Sequence, residues 1–222
     1  MTVLIRGAVM EDLSFLREIE RAAGRRFRDF GLGRVADHEP ALIEVLAGYA
    51  EGGRAWVAGD SDGAPLGYVL VDEIDRAAHI EQVSVAPDHQ GRGLGRALID
   101  RAAEWAASLD MDAVTLTTFG HIPWNRPLYE HLGFRVLADD EIGAGLRAVR
   151  DAEAAHGLDP AMRVVMRRQV KSGAYGGAAT RVRRADQQDV ATATDVYLSP
   201  FPGQVGLPAS SNSGLFRAGH LL

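Results

Sequence analysis

The feature that most constrains the fold is a glycine-rich loop that runs directly into a helical pattern. Residues 89–98 read HQGRGLGRAL, with three glycines in five positions. A strand-like run, AHIEQVSVA (78–86), precedes the loop, and apolar residues from Leu94 to Leu109 follow one helical stripe. Amide N–H groups in a first helical turn lack partners within the helix, and the helix dipole places positive charge there. The segment therefore predicts an anion-binding site at the start of a helix.

The spacing of the glycines excludes two common phosphate-binding motifs. Gly91, Gly93 and Gly95 lie too close together for the dinucleotide fingerprint G-x-G-x-x-G. No Gly-Lys-Ser or Gly-Lys-Thr follows them, so the P-loop pattern is absent as well. Glycines still let a phosphate approach the backbone closely, and Arg92 and Arg96 add positive charge within reach. We expect a phosphate ligand of another kind.

The other elements follow the order β-α-α-β-β-β-α-β-α-β-α-β, which predicts an α/β chain of the α+β type built on a mixed sheet. The pattern predicts strands at residues 2–9, 54–60, 66–74, 78–86, 113–119, 134–137 and 163–168, and helices at 11–23, 41–50, 94–109, 125–132 and 142–156. We expect one domain over residues 1–170. Residues 171–222 are rich in Gly, Ser, Ala and Pro, which predicts a tail that is flexible, partly docked or a non-native extension.

Composition excludes several classes of protein. The net charge of −6 disfavours nucleic-acid binding, and we expect the basic runs RRFR (25–28) and RVRR (181–184) to be solvated. Cysteine is absent and the histidines lack ligand spacing, so we expect no disulfide and no metal site. No uninterrupted apolar run is long enough for a membrane span, and the start lacks the layout of a secretory signal. We expect a cytoplasmic protein without a membrane partner.

Two segments about forty residues apart resemble the signatures of one protein family. The first is VSVAPDHQGRGLGRALI, in which Gln90, Gly93 and Gly95 match the pattern Q/R-x-x-G-x-G/A. The second is NRPLYEHLGF (125–134), with an Asn and a Tyr ahead of Leu-Gly-Phe. These segments resemble the GNAT superfamily, the acetyl-CoA-dependent N-acetyltransferases. The resemblance implies a mostly antiparallel twisted sheet flanked by helices, and it covers roughly residues 2–169.

The resemblance also implies acetyl-CoA as the acyl donor, with its pyrophosphate on the backbone amides of residues 91–96. The strand around Val83 and Val85 would pair with the pantetheine arm, and an amide near Val85 would polarise the thioester carbonyl. Asn125 would hydrogen-bond CoA, although capping of the predicted helix explains it equally well. The expected cofactor contacts are Val83, Val85, Gln90, Gly91, Arg92, Gly93, Leu94, Gly95, Arg96 and Asn125.

The alternation of the strand before the loop contains an irregularity. Its apolar positions are Ile80, Val83 and Val85, so the parity slips by one between residues 80 and 83. A slip of one residue predicts a β-bulge. In the family that the chain resembles, a bulge at this place separates two central strands and makes room for acetyl-pantetheine.

Acetyl transfer requires a deprotonated amine, a stabilised oxyanion and a proton for the departing thiolate. The resemblance implies Tyr129 as the general acid, and the alternative is a tyrosine that only fills the core. Glu81 or His79 would be the base, because both lie on the strand before the loop and share a face outside a bulge. The alternative for these two residues is a solvated strand face.

The resemblance places acceptor recognition between the first two helices and at the ends of later strands. The candidates there are Glu20, Phe27, Asp29, Phe30, Thr118 and His121. Acidic groups and the negative net charge favour a cationic amine, carried by a small molecule or a peptide. Glu153 and His156 could face one another on a helix, and we expect this pair at the surface. A homodimer remains an open expectation.

Two other classes of protein compete with an enzyme. A non-catalytic acyl-CoA sensor or interaction module would keep the anion site and lack proton-handling residues, which Tyr129, Glu81 and His79 argue against. A nucleotide-phosphate binder unrelated to CoA is disfavoured because its fingerprints are absent.

Overall fold

The computed structural model describes residues 3–170, which form a seven-stranded sheet with helices on both faces. The strands are β1 (Leu4–Gly7), β2 (Ala55–Gly59), β3 (Pro65–Ile74), β4 (Ala77–Val85), β5 (Ala113–Phe119), β6 (Arg135–Val136) and β7 (Arg163–Gln169). The helices are α1 (Leu13–Gly24), α2 (Gly33–Ala36), α3 (Ile43–Glu51), α4 (Leu94–Ser108), α5 (Asn125–His131) and α6 (Ala144–Ala155). The expected tail at 171–222, with its basic run at 181–184, lies outside the described residues.

The sheet has the strand order β1-β2-β3-β4-β5-β7-β6. Its neighbouring strands run antiparallel except for β4 and β5, which pair in parallel. The predicted mixed, mostly antiparallel sheet is therefore confirmed. Among the described helices none is long and apolar enough to cross a membrane.

The helices cover the two faces of the sheet unequally. On one face, Leu98 of α4 and Tyr129 of α5 join a core that includes Val83 and Leu116. On the other face, α1 and α3 pack on β2 and β3, and α6 packs beside them. Leu109 departs from the predicted stripe, because α4 ends at Ser108 and the leucine side chain is half exposed.

The segment between α1 and α3 explains why the sequence pattern breaks there. Residues Arg25–Phe30 form a 3-10 helix, which ends at Gly31 with a left-handed φ of 75°. The short helix α2, which the sequence pattern does not predict, follows at once. Two tight turns thus replace one regular helix beside the end of β5, where Phe27 packs on Phe119.

The predicted bulge lies at Glu81 on β4. Leu70 of β3 pairs with Gln82 and Val71 pairs with Ile80, so Glu81 has no register partner on β3. On its other side, β4 pairs with β5 only through residues 77–80 and 113–116. Beyond Ile80 no strand among residues 3–170 pairs with the edge of β4 that faces β5, so the two central strands part beside the glycine-rich loop.

Candidate active site

The glycine-rich loop adopts backbone angles that glycine tolerates best. Gly91 and Gly93 have left-handed φ values of 72° and 78°, and Gly93 immediately precedes α4. A Cβ atom built on Gly93 would meet no atom within 4 Å, so the backbone there is open to a ligand. A larger residue would be strained by its φ and would stand in the space that a phosphate needs.

The backbone amides of this loop are available to bind an anion. The amide of Ala97 is the first in α4 to continue the helical ladder, because it donates to the carbonyl of Gly93 at 3.1 Å. Within the described part of the chain, the amides of residues 91–96 make no hydrogen bond to another backbone group. This set of donors at the positive end of a 15-residue helix fits a diphosphate.

The side chains of the loop mostly hold it in place. The Gln90 amide donates to the carbonyl of Val85 at 3.1 Å, and Arg92 donates to the carbonyl of Asp88 at 2.9 Å. The Leu94 side chain is buried in the core, so only its backbone can reach a ligand. Gln90 thus ties the loop to the end of β4, while the exposed Arg92 and Arg96 can supply charge at the rim.

Val83 and Val85 lie where β4 has left β5. Their side chains are buried against α4 on one face of the sheet. Their backbone forms the edge of β4 that does not pair with β5. An extended ligand arm can add to such an edge as a strand would.

Tyr129 combines complete burial with a hydroxyl that has no partner. Its ring meets Phe134 edge-on, with the centroids 5.8 Å apart, and it belongs to the main core. Its Oη finds no hydrogen-bond partner within the described part of the chain. Burial raises the pKa of Tyr129 well above that of a free phenol, so the side chain keeps its proton. The core-filling alternative explains the ring and leaves the hydroxyl unexplained, because buried polar groups are normally paired.

Asn125 is buried beside the end of β5. Its Nδ2 donates to Thr118 Oγ1 at 3.1 Å, and its Oδ1 has no partner within the described residues. The capping interpretation is wrong, because Trp124 occupies the N-cap of α5 and no side chain caps that helix. Thr118, expected to contact the acceptor, is engaged by Asn125.

The two candidate bases are both buried, so the alternative of a solvated strand face is wrong. His79 Nδ1 lies 3.0 Å from Thr115 Oγ1, and burial above all lowers the pKa of His79 to about 4. A neutral, weakly basic imidazole results. Glu81, the bulge residue, is 3% exposed. Burial, followed by the charges of Glu81 and Asp72, raises the pKa of Tyr49 on α3, which places Glu81 near that helix.

Glu20 lies on the buried face of α1 and is 2% exposed. Its Oε2 accepts a hydrogen bond from Tyr68 Oη, whereas its Oε1 has no partner within the described residues. Burial raises the pKa of Glu20 to about 7, although the hydrogen bond from Tyr68 and the charges of Arg17 and Arg21 oppose this effect. Glu20 can therefore exchange a proton near neutral pH.

An aromatic cluster lies beyond Glu20, between the α1–α2 segment and the end of β5. Phe27 is fully buried against Phe119 and Trp124, so its ring supports the cluster. Phe30 is 42% exposed and its ring meets that of Trp124 edge-on, with the centroids 4.2 Å apart. The guanidinium carbon of Arg26 lies 3.9 Å from the ring centroid of Trp124. Asp29 and His121 are exposed. Sequence reasoning missed Trp124, although a Trp directly before the family's asparagine was a usable signal.

A buried ionic cluster was also missed. Arg163 Nη2 lies 2.5 Å from Glu153 Oε1, and Thr117 Oγ1 donates to the same carboxylate at 2.5 Å. The expectation of a surface pair is therefore wrong for Glu153. His156 Nδ1 instead lies 2.7 Å from the carbonyl of Ala152. Among residues 3–170 no group of three or more His, Cys, Asp or Glu could hold a metal ion.

A mixed sheet whose central strands part beside an amide-lined helix start defines the acetyltransferase class of fold. A sequence model described as the acetyltransferase (GNAT) family matches residues 16–134, more than half of the chain. The protein belongs to that family. A mycothiol acetyltransferase from Beutenbergia cavernae is 42% identical over 80 residues, which are 36% of this chain and 27% of that protein. The chain thus spans about a quarter of the length of this curated relative.

Solved structures share the fold. The ribosomal-protein-S18-alanine N-acetyltransferase from Escherichia coli superposes with a TM-score of 0.53 at 18% identity, covering 80% of this chain and 99% of that chain. A PaiA N-acetyltransferase from Thermoplasma acidophilum, solved in complex with coenzyme A, superposes with a TM-score of 0.54 at 15% identity. The match covers 76% of this chain and 99% of that chain.

Proposed function

We propose that this protein transfers an acetyl group from acetyl-CoA to a primary amine. The observation that carries the proposal is the row of unpaired amides at residues 91–96, beside the opening between β4 and β5. The open space at Gly93 and the unpartnered hydroxyl of Tyr129 fit the same donor.

Each part of the site has a distinct task in binding the donor. The amides of residues 91–96 would hold the diphosphate, with Arg92 and Arg96 at the rim. The backbone near Val83 and Val85 would hold the pantetheine arm, and an amide near Val85 would polarise the acyl carbonyl. Acetyl-CoA supplies the acyl group as a thioester. Asn125 offers its unpaired Oδ1 to the same ligand.

The proton chemistry needs an acid and a base. Tyr129 would donate a proton to the departing thiolate. Burial raises the pKa of Tyr129, so its hydroxyl is protonated at neutral pH before the reaction. Of the two bases expected from the sequence, Glu81 is better suited than His79, whose pKa of about 4 makes it a weak acceptor at neutral pH. The presence of these groups favours an enzyme over an acyl-CoA sensor.

The acceptor would enter from the side covered by α1 and α2, where Glu20 and the exposed face of Phe30 lie. A carboxyl group in that wall favours a cationic amine. The name of the Escherichia coli neighbour gives an alanine of a ribosomal protein as the acetylated residue, which supports testing peptides beside small amines. The same proposal includes a cytoplasmic location, self-association as a homodimer, and the absence of nucleic-acid and membrane partners.

The test is thermal unfolding of the full chain with acetyl-CoA, CoA, ATP or NAD. We expect both CoA species to stabilise the protein and the other nucleotides to have little effect. Stabilisation by ATP or NAD alone would overturn the proposal. An acetyl-transfer screen over polyamines, aminoglycosides, amino acids and peptides then identifies the acceptor. Tight acetyl-CoA binding without transfer to any of them would favour the sensor.

A further inference from the structure

Glu20 differs from the buried carboxylates Asp12 and Glu153 in its hydrogen-bond partners. Asp12 and Glu153 are each bonded directly to an arginine, Arg6 and Arg163 respectively. Glu20 has instead one neutral phenol, Tyr68, on Oε2, and Oε1 has no partner within the described residues. Arg17 and Arg21 act on Glu20 only from a distance, and a carboxylate without a directly bonded arginine binds a proton or a cation more readily than one with such a partner.

The position of Glu20 relates it to the proposed transfer site. Tyr68 of β3 is the register partner of Ser84 on β4. Ser84 lies between Val83 and Val85, the residues whose backbone edge is proposed to hold the donor. Its hydroxyl accepts a hydrogen bond from Gln82 at 2.9 Å, so the sheet beneath α1 is polar at this point. Helix α1 packs on both β3 and β4, so Glu20 lies on the face of the sheet that carries the side chains of Tyr68 and Ser84.

Glu20 is followed along the chain by a row of apolar residues at helical spacing. Ala23 lies one helical turn further on and Phe27 lies one turn beyond, and both are buried in the cluster that includes Trp124. Phe30, which is 42% exposed, lies at the outer end of this apolar row, and Glu20 lies at its buried end. The ammonium group of a cationic amine bound at this end would lie beside Oε1 of Glu20.

We propose that Glu20, in place of Glu81 or His79, is the general base of the reaction and accepts the proton of the acceptor ammonium at Oε1. This inference rests on the proposed acetyl transfer. The amine nitrogen, once deprotonated, bonds to the acetyl carbonyl carbon as the carbon–sulfur bond breaks. The sulfur takes a proton from Tyr129, and the second proton that the nitrogen loses as the amide forms goes back to Tyr129. Glu20 returns the first proton to solvent. Tyr68 is a positioning residue that holds the carboxylate through Oε2.

The first experiment compares Glu20→Gln with Glu18→Gln, using an amine found in the acetyl-transfer screen. Glu18 is exposed on the same helix, so the control removes the same charge without touching the buried face. We expect Glu20→Gln to lower kcat/KM by about 100-fold or more, as loss of a general base does. The rise of kcat/KM with pH, centred at a pH of about 7 in the parent, should disappear. Acetyl-CoA affinity, measured by calorimetry, should stay unchanged in both variants.

The second experiment changes Tyr68 to Phe, which removes the hydrogen bond that lowers the pKa of Glu20. The rise in kcat/KM should then move to higher pH, a change that a purely structural role would not produce. This readout holds even if Glu20→Gln fails to fold.

Two results would overturn the assignment of Glu20. One is a pH profile that Glu20→Gln leaves in place, and the other is a profile that Tyr68→Phe leaves unmoved. Loss of the profile in Glu81→Gln alone would transfer the role to the bulge residue. A parent protein that does not bind acetyl-CoA would instead contradict the proposed function, and the calorimetry separates these failures.

Discussion

Arg163 of β7 and Glu153 of α6 form a buried ion pair that joins the helix to the sheet. The side chains are 1% and 7% exposed, and Arg163 Nη2 lies 2.5 Å from Glu153 Oε1. Thr117 of β5 accepts a hydrogen bond from the same guanidinium at 2.8 Å, and the guanidinium carbon lies 4.7 Å from the ring centroid of Phe119. The cluster therefore links three elements beside the acceptor side of the sheet.

Removal of one partner of this pair should destabilise the protein strongly. We expect Glu153→Ala to lower the free energy of unfolding by about 3–5 kcal/mol, because it leaves the charge of Arg163 buried and uncompensated. Urea unfolding measures the loss. The exposed pair Arg126–Glu130 is the control, and Glu130→Ala should cost less than about 1 kcal/mol. Equal losses in the two variants would show that the buried pair is not stabilising.

Asp75 supports α6 from a turn 70 residues earlier in the chain. Its Oδ1 and Oδ2 accept hydrogen bonds from the amides of Gly145 and Leu146, each at 3.0 Å. We expect Asp75→Ala to lower the free energy of unfolding by about 1–2 kcal/mol, as loss of a helix cap does. Asp75 has a positive φ of 50°, so Asp75→Gly serves as the control that removes the cap without adding strain. If the glycine variant is as stable as the parent, the cap contributes nothing.

These two contacts also show where sequence reasoning succeeds and where it ends. The predicted elements agree with the structure to within a few residues, because the periods of helices and strands are local properties. The bulge at Glu81 was predicted because a slip in alternation is local too. The partners of Asp75 and Glu153 are set by packing between distant segments, and neither leaves a periodic signal. The contacts of Trp124 with Phe30 and Arg26 also cross a loop, so only its place directly before Asn125 could have marked it in the sequence.

Gly93 should be essential for binding of the donor. We expect Gly93→Val to abolish stabilisation by CoA, because the side chain would occupy the open space before α4. The same change also strains a positive φ, so a control with equal strain is needed. Gly63 has a φ of 87° and equally open surroundings, but it lies in the β2–β3 turn. Gly63→Val should lower stability and keep CoA binding. Retained CoA affinity in Gly93→Val would contradict the role of this loop.

Tyr129 should be needed for turnover and not for affinity. We expect Tyr129→Phe to lower kcat by about 100-fold or more, because the thiolate would depart without a proton donor. The phenyl ring fills the same space, and the lost hydroxyl has no partner within the described residues, so stability should not fall. Steady-state kinetics and calorimetry with acetyl-CoA measure the two quantities. An unchanged kcat would remove Tyr129 from the reaction.

Glu20 should also make stability depend on pH. Its pKa is raised from 4.5 to about 7 in the folded state, so the folded protein holds this proton more tightly than the unfolded chain does. The stabilisation is complete below pH 4.5 and is lost as the pH rises through about 7. Glu20→Gln carries no titrating group at this position. Between pH 4.5 and 8 its free energy of unfolding should therefore rise relative to that of the parent by up to about 3 kcal/mol. Urea unfolding across this range, with Glu18→Gln as control, measures the gain. If the free energies of unfolding of Glu20→Gln and the parent depend on pH in the same way, the pKa of Glu20 is not raised in the folded state and this prediction is wrong.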